Sequence, residues 1–190
     1  MPSQIQVDKI QSANGATTYL NNGTLSNLTF PSGHCIKTSE YNIARGTYGS
    51  VWFPADDTIP QISEGTEIFS QAYTPSSSAT NILIRVLNIL LYESSNIADA
   101  GCGALFISGT NDAQLVMLGS KVDDGSSIHH SQLSGEVLVS SWSGEKTISV
   151  RKGSGHHCVN LWFSGGHSTA SSMFGLNTCP AGTVVVQEIA

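Results

Sequence analysis

Residues 80–93 read T-N-I-L-I-R-V-L-N-I-L-L-Y-E and form the longest apolar run in the chain. In an extended strand, successive side chains point to opposite faces. One parity here is Ile82, Ile84, Val86, Asn88, Leu90 and Tyr92. The other is Leu83, Arg85, Leu87, Ile89, Leu91 and Glu93. Both faces are mostly apolar, with a polar break near the middle of each. A strand of an ordinary antiparallel sheet keeps one wet face and alternates more cleanly. The run is therefore expected to have its second face covered, by another chain or by another part of its own. Ile82, Ile84, Arg85, Leu87, Asn88 and Ile89 are the residues expected at a subunit contact. Arg85 and Asn88 would supply hydrogen bonds across it, and either parity could face the partner.

Short strand-like segments separated by Gly, Ser, Asn and Asp clusters surround this run. They include 35–36, 50–53, 67–73, 104–107, 115–122, 132–140, 146–152, 156–163 and 182–189. Asp124-Gly125 and Ser143-Gly144-Glu145 read as turns. No segment shows sustained apolar spacing of three to four residues with caps, so little helix is expected. Many short strands with such turns predict an all-β fold, an antiparallel β-sandwich of jelly-roll type. Residues 1–30 differ from the rest. They hold the short apolar set Ile5, Val7 and Ile10 and two Asn-Gly pairs, but little else to bury. They are expected to be an extended anchoring arm, joined at Pro31-Ser32-Gly33 to a sandwich domain over residues 31–190.

Composition narrows the function. Charged residues are 12% of the chain, roughly half the usual share. The net charge of -6 and the scattered basic residues argue against nucleic acid, whose backbone demands clustered Lys and Arg. No apolar run is long enough to span a bilayer as a helix, and the start shows no basic region followed by an apolar one, so neither membrane insertion nor a secretory leader is expected. Without such a leader, Cys35, Cys102, Cys158 and Cys179 are expected to be buried free thiols.

The constellations that carry chemistry are weak. His129-His130 and His156-His157 are adjacent pairs, whose members face opposite ways on a strand, and no carboxylate stands at ligand spacing beside them. No metal or other cofactor is expected, although a trimer axis could gather three copies of one histidine. There is no G-x-S-x-G elbow. Asp56-Asp57 and Asp123-Asp124 sit in turn-like contexts and read as solvated loop ends rather than an acid–base pair. No catalytic residue is assigned. Recognition by surface loops is the remaining class, with Trp142, in a Ser/Gly turn, and His167, in the 165–170 loop, as contact candidates. Trp142 could equally fold back on its own sandwich.

Three segments resemble small fibre-type virion proteins of tailed bacteriophages, especially marine and cyanobacterial ones. The start, I-Q-V-D-K-I-Q over residues 5–11 followed by an Asn-Gly turn, looks like their attachment arm. T-P-S-S-S-A-T-N-I-L-I-R-V over residues 74–86 is similar to their T-P-S-S-A-T-x-K-I-L-I-x-V signature, with Asn81 near where a Lys is usual. T-V-V-V-Q-E-I over residues 183–189 looks like their closing strand. The resemblance implies a homotrimeric, non-enzymatic structural protein of the virion surface, made in the host cytoplasm. It would be anchored to other virion proteins through its arm and would meet a host surface glycan or protein through distal loops. A capsid-decorating cement protein is the alternative within this class. A carbohydrate-binding or hydrolytic β-sandwich is the alternative outside it.

Overall fold

A computed structural model describes residues 9–11, 18–21, 24–25, 31–44, 46–47, 53–54, 56–93, 101–123, 129–154, 161–163 and 182–190. Among these residues the secondary structure is all strand, and no helix is long and apolar enough to cross a membrane. Two antiparallel sheets pack face to face. The first is built on β4 (Cys35–Ile43), β7 (Asn81–Glu93), β11 (His129–Ser140) and β14 (Gly182–Ile189), in the order β4-β14-β7-β11. The short strands β5 (Gly46–Thr47), β10 (Ser120–Asp123) and β13 (Leu161–Phe163) extend it. The second holds β6 (Thr66–Tyr73), β8 (Gly101–Ile107), β9 (Leu115–Leu118) and β12 (Lys146–Ser154), in the order β6-β12-β8-β9.

The pairings β4·β14, β6·β12, β7·β11 and β8·β9 are those of one antiparallel ribbon wound over two sheets, which is the jelly roll expected from the strand pattern. Separately, β1 (Lys9–Gln11), β2 (Thr18–Asn21) and β3 (Thr24–Leu25) form a three-stranded antiparallel sheet. In it, Leu20 pairs with Leu25 and Asn21 with Thr24.

The core explains the two apolar parities of β7. Ile82, Ile84 and Val86 point into the sandwich, and so do Ile89 and Leu91. The parity changes between them because Leu87 and Asn88 stand opposite the single residue Ser134, between the pairs Val86–Gly135 and Ile89–Leu133. This is a β-bulge. Asn88 takes the left-handed conformation, with φ at 57°, a region that Asn tolerates better than most residues. Its N–H donates to Ser134 Oγ at 3.0 Å, and its Oδ1 accepts from Gln132 Nε2 at 2.8 Å. Both parities therefore enter one core in turn. The bulge accounts for the two apolar parities, a simpler cause than the second cover expected from the sequence.

β8 has both faces covered. All seven of its residues are buried. Leu105 and Ile107 join the central core, while Cys102, Ala104 and Phe106 face away from it. That second face is closed by the chain itself, through Phe53, Ile62 and Ala113. Gly153 and Gly65 form the seat for Phe53. A Cβ at Gly153 would stand 2.6 Å from Phe53 Cδ2 and 2.9 Å from the Phe53 backbone nitrogen. Backbone hydrogen bonds from Ile62 to Asn111 (2.8 Å) and from Ala113 to Pro60 (2.9 Å) tie this strap to the turn after β8.

Other expectations shift in detail. Residues 115–122 were expected as one strand, but Leu115–Leu118 and Ser120–Asp123 lie in different sheets, so the chain crosses between layers at Gly119. Phe53 is a buried residue outside any strand. Cys102 is buried and free as expected, but Cys35 is free and exposed, near the start of the outermost strand of its sheet. Cys158 and Cys179 lie outside the described residues.

Candidate functional site

The loop between β6 and β7 and the turn between β11 and β12 meet at one end of the sandwich. Together they line an open groove of about 450 Å³, formed by Pro75, Ser76, Ser77, Ala79, Ser141, Trp142, Ser143 and Gly144. Hydrogen bonds fix both walls. The Ser141 N–H donates to Thr80 O at 2.9 Å, and the Thr80 N–H donates to Ile189 O at 2.8 Å. Gly144 closes the turn at φ 77°, a left-handed conformation that suits glycine.

The anchor below the groove is Glu188. It follows Val184 and Val186 on the inward parity of β14 and is fully buried. A buried carboxylate must be hydrogen-bonded or paired to persist in its ionised form. Glu188 has four donors. Tyr73 OH donates at 2.7 Å, Lys37 Nζ at 3.1 Å and the Ser76 N–H at 3.2 Å, and Ser76 Oγ donates as well. Burial pushes the Glu188 carboxyl up, but the donors Ser76, Tyr73 and Lys37 together outweigh it and hold the group below its ordinary value. The bond to Glu188 raises Lys37, whereas Tyr73 is raised by burial first and by Glu188 second. The carboxylate thus joins β4 and β14 of one sheet to β6 of the other and to the loop that walls the groove.

Trp142 turns back onto its own sandwich. It is half-buried against the core, meets Tyr73 edge-on at 6.3 Å between centroids, and donates from Nε1 to Tyr73 O at 3.4 Å. Lys146 Nζ stands 5.8 Å from its ring centroid. The ring is fixed in orientation and still lines the groove.

The six residues expected at a subunit contact divide. Ile82, Ile84 and Ile89 have no exposed surface, because the bulge sends all three into the core, so a partner could not touch them in this fold. Arg85 and Leu87 lie on the outward face with Leu83. Arg85 Nε pairs with Glu136 Oε2 at 3.0 Å, and Asn88 bonds to β11, so both polar breaks have partners within the chain. Ile10 lies in β1, whereas Ile5, Val7 and His167 are outside the described residues. His129 and His130 lie on β11, and His156 and His157 are not described. Among the described residues, no group of three His, Cys, Asp or Glu is placed to hold a metal ion. Asp56 and Asp57 are exposed, and the Asp56 carboxylate accepts from the Thr58 hydroxyl at 2.5 Å and from the Thr58 N–H at 2.9 Å, which together hold it below its ordinary value.

Glu188 was not singled out in the sequence. Its signal is positional: a carboxylate on the same parity as the buried valines of the closing strand must meet donors from across the fold. No protein-family model matches the chain, and no curated protein matches it.

Proposed function

We propose that the chain is a non-enzymatic structural protein of a tailed-phage virion surface. It is a short homotrimeric fibre that anchors through residues 1–30 and presents the groove end of its jelly roll outward. One observation carries this reading. Two of the segments that resemble phage fibre proteins, residues 74–86 and 183–189, lie about a hundred residues apart, yet β7 and β14 pair from Asn81–Ile189 to Leu87–Thr183. Ser76 of the first segment also bonds to Glu188 of the second. The shared residues are thus one structural unit, a central strand pair and its lock, which is what a common scaffold would keep.

The trimer contact assigned here is the outward row Leu83, Arg85, Leu87 and Leu138. Leu83 and Leu138 are cross-strand neighbours, and Leu138 is 60% exposed. Light scattering tests it: a particle of three times the 20.0 kDa chain mass is expected, and a stable monomer overturns it. Immunogold labelling of purified virions with antibody raised against the recombinant chain tests the location. Label on tail tips supports the fibre and label over the head supports the decorating alternative. Unlabelled particles overturn the virion reading.

A further inference from the structure

The chemistry of the groove walls defines a ligand class, and the inference rests on the surface-recognition reading above. No Lys, Arg, Asp or Glu lines the groove, and the nearby Lys146 Nζ is held 5.8 Å from the Trp142 ring centroid, so the walls themselves carry no charge. No Leu, Ile, Val or Met lines it either, so it does not suit the apolar anchors of a peptide. What it holds is one indole and four serines. Ser76 is committed to Glu188 and to Ser78, whereas the hydroxyls of Ser77, Ser141 and Ser143 have no hydrogen-bond partner among the described residues. Each is both donor and acceptor and can turn to suit a ligand. Trp142 is already oriented by Tyr73, so little freedom is lost when something stacks on it. A volume of about 450 Å³ falls in the range of about 300–1,000 Å³ found for ligand sites.

We infer that this groove binds a neutral sugar residue of a surface glycan. A pyranose ring matches it on both counts, with a face of C–H groups for the indole and a rim of hydroxyls for the free serines. The open shape suits one terminal unit, bound weakly at each copy and more strongly when several copies engage at once.

Saturation-transfer NMR with glucose, galactose, mannose and N-acetylglucosamine tests this, with the neutral peptide tri-serine as the competing probe. Transfer to at least one sugar and none to tri-serine is expected. The signal should be lost in Trp142→Ala and also in a Ser77→Arg, Ser143→Arg double variant. Both substituted serines are exposed, so that variant should keep the wild-type melting temperature even if loss of the indole unfolds the chain. No transfer to any sugar, transfer to tri-serine alone, or sugar transfer unchanged in the folded double variant overturns the inference. Labelled virions without sugar transfer would defeat the groove alone. Sugar transfer with unlabelled virions would defeat the virion reading and leave the groove standing.

Discussion

β7 and β8 bury their apolar residues by opposite routes. β7 is long and apolar on both parities, yet it has one dry face, because the bulge at Asn88 exchanges which parity points inward. β8 is short and rich in small residues, G-C-G-A-L-F-I, yet it is dry on both faces, because the strap through Phe53 and Ile62 folds over it. Apolar content along a strand therefore did not report how many of its faces are covered. Side-chain size was the better guide: small residues at Cys102 and Ala104 let the strap approach closely, whereas the branched residues of β7 fill one thick core.

Breaking the strap should have the largest effect. Phe53→Ala empties the seat formed by Gly65, Gly153, Ala104 and Phe106 and should cost ~3–5 kcal/mol in denaturant unfolding. It should also speed modification of Cys102, whose thiol burial raises to about 11. In a Cys158→Ser, Cys179→Ser background, exposed Cys35 should react at once and Cys102 slowly until Phe53 is removed. Equal reactivity in the parent would mean that the second face of β8 is open.

The Glu188 lock comes next. Glu188→Ala strands the donors of Tyr73 and Ser76 and should cost about 1–3 kcal/mol. Because the folded carboxyl lies below its ordinary value of 4.5, its stabilisation is present above that pH and is lost as pH falls through the folded value. Lys37 and Tyr73 are raised, so what they add is present below their ordinary values, 10.5 and 10.0, and is lost as pH climbs through the folded ones. Thermal melts against pH should show both losses in the wild type, and Glu188→Gln should flatten the acidic one. An acidic limb unchanged by Glu188→Gln would place its cause elsewhere.

The bulge itself should show the smallest effect. Asn88→Val forces a branched residue into the left-handed region and should cost ~1–2 kcal/mol, while Asn88→Gly should be close to neutral. If Asn88→Val melts like the wild type, the strand is straight there.

Much of this architecture was legible in the chain. Residues 182–189 read as a strand from their valine run, and β14 has those bounds. The turn read at Gly144 falls where glycine takes positive φ. What escaped was non-local. The break at Gly119 separates two strands only because they pair with different sheets, β9 with β8 and β10 with β11. The bulge left a trace, since the inward set moves from even to odd positions on either side of Asn88, but such a shift also fits a strand covered twice. Only the partner strand, with Ser134 alone opposite two residues, separates the two cases. The candidate groove was half legible. Trp142 in its Ser/Gly turn was visible, but the 74–79 wall and Glu188 become part of the site only once β7 and β14 pair.

Four single substitutions to aspartate test the parity exchange in β7, read by circular dichroism and thermal melting. Ile84→Asp and Ile89→Asp lie on opposite parities, and both should unfold the chain, because each buries an unpaired charge. Leu83→Asp and Leu87→Asp, on the outward face, should stay folded, at most losing the proposed trimer. A folded Ile89→Asp chain, or Leu87→Asp as destructive to the fold as Ile84→Asp, would mean that β7 keeps one parity inward throughout.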